Sequence, residues 1–491
     1  MKHEAKQPTI KFQGSQYLAL SPVIIFLIIC MIFFIGLKAF EMHALAAGAF
    51  VSLLISALFV KPDSYDAFWN AVVEGAKESV PVVILLLIIG MFSSMISSAD
   101  ISSGFVWLAG QFNVSGGLFT AMTFLFVALI ATATGSSLGT MFTCFPIFFP
   151  AGVLLGSNPA ALTAAITCGG IFGDNLAPIS DTTIISASTQ YYNNRTGTVG
   201  IGEAVLVRFK YCLIAGIFTF LMFMFVGDSG EGVSSSVGGM IESNPQSLIM
   251  LIPIVVMLGI SIKHGSMYLA ITAGLVVGIV IGLVSGIFVP ADILSVVDGA
   301  PTGFLTDGVA NMMGITVLVM SVYGIMGVLT EAGLLDMMIN HILNSKLSQT
   351  VRGTELVMLI GINITTMIFG GVTSASMTTF GKIQNELGKR KNIHPARRSN
   401  LLDGGANSLG VTIPFLSVFV FIGSQLTAGY EGIAQVSVTQ LSGYMFYSFA
   451  LFAVLLFSIL TGWGRDYEGK DGARISQKEY EANGAVASDS I

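Results

Sequence analysis

Charge is scarce in this chain. Asp, Glu, Lys and Arg supply only 10% of its 491 residues, and apolar residues supply 53%; soluble domains run near a quarter charged. That shortage excludes a soluble globular protein and leaves an all-α polytopic membrane protein, with the lipid bilayer as its surroundings. The net charge of −6 says little about partners, since what matters in a membrane is where each charge sits; no nucleic-acid partner is expected. Cysteine is rare too. Cys30, Cys144, Cys168 and Cys212 lie in or beside apolar segments without metal-ligand spacing, and read as packing residues rather than disulfides. Histidine is confined to tails, loops and helix ends (His3, His43, His264, His341, His394), and no Lys sits at membrane depth. This bears on Gly135-Ser136-Ser137-Leu138-Gly139, which fits the G-x-S-x-G nucleophile elbow. A serine nucleophile needs a neighbouring base, and none is in reach. The chain reads as no enzyme, with no catalytic residues and no cofactor.

Glycine is abundant, at 56 residues, as expected where membrane helices pack closely or break. Residues 1–17 form a polar, basic tail. The apolar run from Leu18 to Leu37 exceeds a ~7–15 residue signal core, so a first transmembrane helix is expected there. A second follows at about 43–60, then an amphipathic stretch from Pro62 to Ser79 expected along the membrane surface, and a third crossing at about 80–97. The apolar run from Gly116 to Leu155 is interrupted by T-A-T-G-S-S-L-G-T (Thr132 to Thr140). Two full crossings need about 20 residues each; the Gly and Ser cluster predicts instead a re-entrant hairpin with Gly135 and Ser136 near its tip.

The next segment is the unusual one. G-D-N-L-A-P-I-S-D-T-T, Gly173 to Thr183, carries two acids and Pro178 inside an apolar run. Carboxylates at membrane depth cost about 2.5–3.5 kcal/mol each even on lenient scales. Residues 159–192 as straight helix would span roughly 51 Å at ~1.5 Å per residue, beyond the ~30 Å hydrocarbon core. The spacing predicts a broken helix with an unwound middle, the place where secondary transporters bind ions and solutes.

A helix at about 204–226 and a Gly/Ser-rich linker, 227–246, close the first half. The second half repeats the first. Helices at 247–262 and 267–289 repeat the opening pair, and a shift of about 233 residues aligns Glu74-Gly75-Ala76-Lys77 with Asp307-Gly308-Val309-Ala310. A second hairpin is expected at about 354–390 around Gly370 to Ser376, a second broken helix at about 398–426 around Asp403 to Pro414, and a last helix at about 441–462 before a polar tail, 463–491. Each half (18–226 and 247–462) thus has five crossings plus a hairpin. Five is odd, so the halves are expected to be inverted repeats. With both termini cytoplasmic and the linker outside, all of the 22 Lys and Arg except Lys38 fall at the inner face, as the positive-inside rule asks. The expected location is the plasma (bacterial inner) membrane.

The hairpin tips and broken helices offer an oxygen-rich set. The first half supplies Thr134, Gly135, Ser136, Ser137, Asp174, Asn175, Ser180, Asp181, Thr182 and Thr183 as candidate Na⁺/H⁺ ligands. The second supplies Thr373, Ser374, Ser376, Asp403, Asn407, Ser408 and Thr412 for a pseudo-symmetric ion or substrate site. Hard cations such as Na⁺ take oxygen ligands, and helix ends at the breaks add carbonyls or bind a carboxylate. Two schemes fit: a Na⁺/H⁺ antiporter whose acids take Na⁺ and H⁺ in turn, or a Na⁺-coupled carrier of an amino acid or other small organic solute.

G-D-N-L-A-P-I-S-D-T-T, with T-G-S-S-L-G-T upstream, resembles the signature region of the NhaC family of sodium/proton antiporters, within the wider ion transporter superfamily. The resemblance covers nearly the whole membrane part. It implies that Asp174 and Asp181 are the signature acids. It also implies an elevator mechanism and a homodimer, with hairpins and broken helices moving against the other helices. The family includes Na⁺/H⁺ antiporters, a proposed malate/lactate exchanger and amino-acid carriers. Antiporters of the family commonly have Lys where this chain has Asn175, and Leu where it has Ile179.

Overall fold

The computed structural model describes residues 9–33, 37, 42–99, 104, 115–229, 245–264, 266–334, 346–428, 430 and 433–482. The first half runs α1 (Ser21–Met31), α2 (Met42–Ala57), α3 (Tyr65–Glu78), α4 (Val80–Ser98), α5 (Gly116–Thr134), α6 (Ser137–Leu154), α7 (Pro159–Leu176), α8 (Asp181–Ser188) and α9 (Ile201–Val226). The second runs α10 (Leu251–His264), α11 (Met267–Ser285), α12 (Phe304–Glu331), α13 (Val351–Ile368), α14 (Thr373–Arg390), α15 (Pro395–Ala406), α16 (Val418–Gln425) and α17 (Phe446–Thr461). Two small antiparallel pairs, Ser295–Val297 with Ala300–Thr302 and Asp466–Glu468 with Arg474–Ser476, are the strands described. Eight helices among the described residues are long and apolar enough to cross a membrane. Leu206, Phe225 and Val284 are 76%, 76% and 85% exposed, apolar faces suited to lipid rather than water. The protein is a multi-pass, all-α membrane protein. Most of the expected linker 227–246, Lys38 and the outer parts of both tails lie outside the described residues.

The stretch from Pro62 to Ser79 is not laid along a surface. α3 passes directly into α4 at Ser79, and both pack lengthwise on α12. Gly75 sits against the backbone of Tyr323 and Gly327, and Gly90 against that of Gly308, so the two runs are antiparallel. A Cβ on Gly75 would come within 2.9 Å of Gly327 Cα. Paired small residues let membrane helices approach this closely; that packing, invisible in the amphipathic pattern, overrides it.

Turns and breaks fall where Gly, Pro and polar residues predict them, but the arms of the first turn, Gly116–Thr134 and Ser137–Leu154, are each long and apolar enough to cross a membrane. α5 ends at Gly135 in the left-handed region (φ 67), and Ser136 Oγ then caps α6 by accepting from the Gly139 N–H at 3.2 Å. The second tip turns through Gly370 and Gly371 at φ 59 and 83. Each broken helix opens on a capped proline. Asn158 accepts from the N–H groups of Ala160 and Ala161 before Pro159, and His394 Nδ1 accepts from Ala396 before Pro395. The first break spans 177–180 around Pro178, which has no N–H to continue the ladder. The second is longer, 407–417, relieved by a single 3₁₀ turn at Leu409–Val411. The first break is off-centre. With 18 residues α7 reaches roughly 27 Å, and with 8 residues α8 reaches roughly 12 Å, at ~1.5 Å per residue.

The segment after α17 is more than a polar tail. Its hairpin folds back on the ends of both broken-helix units: Tyr467 bridges to Ile393, and the Glu468 carboxylate accepts from the Asn193 and Asn194 N–H groups at 2.8 and 2.6 Å.

Candidate functional site

Both hairpin tips converge on the first break, and a cavity of about 120 Å³ lies between them. Ser136 and Ser137 line it from the first tip, Thr373 and Ser374 from the second, and Asp174, Asp181 and Thr182 from the break. Leu138, Tyr323, Val372, Val418 and Phe419 complete the walls. Asp174 stands at the last turn of α7, 2% exposed. Its Oδ1 accepts from Ser180 Oγ at 2.7 Å and its Oδ2 from Ser137 Oγ at 3.4 Å. Ser180 also bonds Thr182 at 2.8 Å, and Asp181 Oδ1 accepts the Thr182 N–H at 2.9 Å at the start of α8. Among the described residues no cationic side chain pairs with either acid. A carboxylate ringed by hydroxyls, with a second acid on the same small cavity, is a donor set for a hard cation.

Asp403 is placed differently. It is fully buried and makes an ion pair with Arg208, Nη1 to Oδ2 at 2.7 Å, both side chains being 0% exposed. Ser186 Oγ donates to the same oxygen at 3.0 Å, and Asn407 Nδ2 to Oδ1 at 3.1 Å. The Arg208 guanidinium donates further to the Asn175 carbonyl at 2.7 Å, Thr183 Oγ1 at 3.1 Å and Ser186 Oγ at 3.0 Å. The carbonyl is one of those left open where α7 ends. Asn407 Nδ2 also donates to Asn175 Oδ1 at 2.9 Å, and Asn175 Nδ2 to Tyr447 Oη at 3.0 Å. One buried polar network thus ties both broken helices to α9 and α17.

The residues singled out from sequence therefore divide three ways. Ser136, Ser137, Asp174, Asp181, Thr182, Thr373 and Ser374 share the cavity, with Ser180 directly behind Asp174. Asn175, Thr183, Asp403 and Asn407 belong to the Arg208 network. The others make local contacts. Thr134 bonds Thr140 at 2.9 Å, Gly135 packs on Ile179 and Ser180, Ser376 bonds Thr366 at 2.9 Å, Ser408 bonds Asn363 Oδ1 at 3.0 Å, and Thr412 bonds back to the Leu409 carbonyl at 2.9 Å. The second tip faces the Asp174 cavity rather than joining Asp403.

Arg208, Ser186 and Tyr447 of the buried network and Tyr323 of the cavity wall were not singled out from sequence. The positive-inside count places Arg208 with the inner-face charges. Its signal was its depth: seven residues beyond Ile201, where a lone cation needs a buried partner. Arg397 and Arg398, expected at the inner face as well, are likewise fully buried. Glu355 lies between Arg397 Nε at 2.8 Å and Arg465 Nη2 at 2.6 Å, while Arg398 donates to Asn385 Oδ1 and the Tyr191 carbonyl, both at 2.7 Å.

The profile of the Na⁺/H⁺ antiporter family matches residues 10–199 and 201–463. The chain belongs to that family. Its relatives include the Na⁺/H⁺ antiporter NhaC of Bacillus subtilis, 24% identical over 418 residues, covering 80% of this chain and 86% of that one. The malate-2H⁺/Na⁺-lactate antiporter of the same organism is 24% identical over 411 residues, covering 75% and 85%. The arginine/ornithine antiporter ArcD of Halobacterium salinarum is 25% identical over 210 residues, covering 40% and 41%. Among solved structures, Neisseria gonorrhoeae MtrF superposes with a TM-score of 0.38 at 12% identity over 88% of this chain and 97% of that one, too loosely to bear on the fold.

Proposed function

We propose that the chain is a secondary active transporter exchanging Na⁺ for H⁺, with Asp174 as the carboxylate that takes each ion in turn. The observation that carries this is the pairing of Asp174. It faces the cavity, is met by the hydroxyls of Ser137 and Ser180, and has no cationic partner among the described residues. Na⁺ needs the carboxylate bare and a proton occupies it, so the two exclude one another. That exclusion is the thermodynamic root of coupled exchange. Asp181, Thr182 and the tip hydroxyls fill out the Na⁺ shell. Asp403, already neutralised by Arg208, carries no ion. Na⁺ is the coupling ion and no cofactor takes part. Membership of the family and the names of its relatives support the reading.

The order of elements in each half, hairpin then broken helix then closing helix, supports inverted repeats with re-entrant hairpins and cytoplasmic termini. The network through Arg208 supports a rigid transport body that includes α9 and α17. The glycine-packed bundle of α3, α4 and α12 is then the scaffold against which it moves as an elevator, and a homodimer would form through scaffold helices. One observation favours a second reading, in which a small organic solute moves with or against Na⁺: Val372, Val418 and Phe419 give the cavity an apolar wall that a bare ion does not need.

The test uses proteoliposomes with an interior pH dye and an imposed Na⁺ gradient. Na⁺-driven pH change that requires Asp174 and no organic solute supports exchange. Absence of that signal, with gradient-driven uptake of a labelled amino acid, replaces it with the second reading.

A further inference from the structure

A second cavity, of about 310 Å³, lies against the first. Glu74 and Glu78 line it from α3, Thr330 and Glu331 from the end of α12, and Phe369, Ala375, Thr378 and Thr379 from the second hairpin. Glu331 accepts from Thr9 Oγ1 at 3.0 Å, so this vestibule opens on the face that carries the N-terminal segment. Glu74 and Glu78 are exposed to it; Lys77 stands beside Glu74 at 2.6 Å. The basic side chains of α14 are not among its lining residues.

Acids on a surface are ordinarily just solvated charge. What sets these apart is the wall behind them. Tyr323 lines both cavities. It is only 6% exposed, and among the described residues its phenol has no hydrogen-bond partner. The second hairpin shares that wall. Phe369 and Ala375 face the vestibule, while Val372, Thr373 and Ser374, between them in sequence, face the Asp174 cavity. One tyrosine and one hairpin turn therefore separate an acidic chamber from the ion site. The turn bends through Gly370 and Gly371 with positive φ, a conformation that glycine adopts and leaves at little cost.

We propose that this acidic vestibule is the path by which Na⁺ enters and leaves the Asp174 cavity from one face, with Tyr323 and the turn at 369–372 as its gate. The proposal rests on the Na⁺ reading of Asp174. Clefts lined by one sign of charge concentrate counter-ions and raise their arrival rate. Glu74 and Glu78 do this for Na⁺, and the unpartnered phenol of Tyr323 offers an oxygen to the ion as it passes.

Two measurements on the full-length protein in proteoliposomes test it. The first compares Glu74→Gln/Glu78→Gln with wild type in Na⁺-driven proton movement, with Na⁺ varied on each side in turn. Expected is a rise of about threefold to tenfold in apparent KM for Na⁺ on the vestibule side alone, shrinking as inert salt screens the charges. Unchanged KM in an active variant overturns the vestibule while leaving Asp174 in place. A silent wild type overturns both readings together. The second uses Thr378→Cys, since the four native cysteines are buried. A cationic methanethiosulfonate reagent is expected to label this variant faster than its anionic counterpart and to block exchange. Full exchange after complete labelling overturns the path.

Discussion

Both broken helices bring a buried carboxylate to their break, and the chain treats the two in opposite ways. Asp174 is left with hydroxyls, Ser180 Oγ at 2.7 Å and Ser137 Oγ at 3.4 Å, on the wall of a cavity. Asp403 is given a guanidinium at 2.7 Å and sealed away from any cavity described. The difference teaches that burial of an acid at membrane depth does not by itself mark an ion site. Hydroxyls leave a carboxylate's charge available, whereas a guanidinium spends it. Asp403 holds Arg208 in place, and Arg208 in turn holds the open end of α7 through the Asn175 carbonyl. The second acid thereby helps fix the end of the helix that carries the first.

The sharpest way to break this contrast is to neutralise each acid. Asp174→Asn is expected to fold, keep its melting temperature in the absence of Na⁺, and lose Na⁺-driven proton movement altogether in the proteoliposome assay. Retained exchange would remove Asp174 from its role. Breaking the other pair should act on stability instead. Removing one partner of a buried ion pair costs about 3–5 kcal/mol, and removing both together is often nearly neutral. Arg208→Gln and Asp403→Asn should therefore each lower expression and thermal stability, while Arg208→Gln/Asp403→Asn recovers most of the loss and still exchanges ions. A double variant as unstable as either single one would contradict the ion-pair account.

Smaller substitutions sharpen the comparison. Ser180→Ala removes one hydroxyl from Asp174; a hydrogen bond to a charged group is worth about 1.5 kcal/mol or more. Na⁺ affinity should fall roughly tenfold, read as a shift in the Na⁺ concentration that half-saturates thermal stabilisation. Tyr447→Phe has the least effect. It removes the acceptor of Asn175 Nδ2, costing about 1 kcal/mol of stability and leaving Na⁺ affinity unchanged in the same titration.

Much of the architecture was legible because its signals are local. Gly135-Ser136, Gly370-Gly371, Pro178 and the capped prolines Pro159 and Pro395 interrupt apolar runs, and each lies at a turn, a break or a helix start. Asp174 and Asp181 were legible because nothing apolar explains them. What lay beyond reach was partnership. Thr134, Ser376 and Thr412 have the same hydroxyl as Ser137 and Thr373, yet they bond to neighbouring turns or tips, and only the fold shows which hydroxyls face the cavity. Arg208, Arg397 and Arg398 looked like inner-face charges because their carboxylate and carbonyl partners are distant in sequence, 195 residues away for Asp403. The amphipathic pattern of α3 suggested a membrane surface because Gly75 and Gly327 meet only after the chain has folded.

The most direct test of the contrast is proton release on Na⁺ binding, measured by calorimetry of the purified protein in buffers of differing ionisation enthalpy across a pH series. If Na⁺ and H⁺ compete for Asp174, wild type should release up to about one proton per Na⁺ bound at the acid end of the series. Arg208→Gln/Asp403→Asn should release the same, and Asp174→Asn should release none. Undiminished proton release in Asp174→Asn, or Na⁺ binding to wild type with no proton released at any pH, would contradict it.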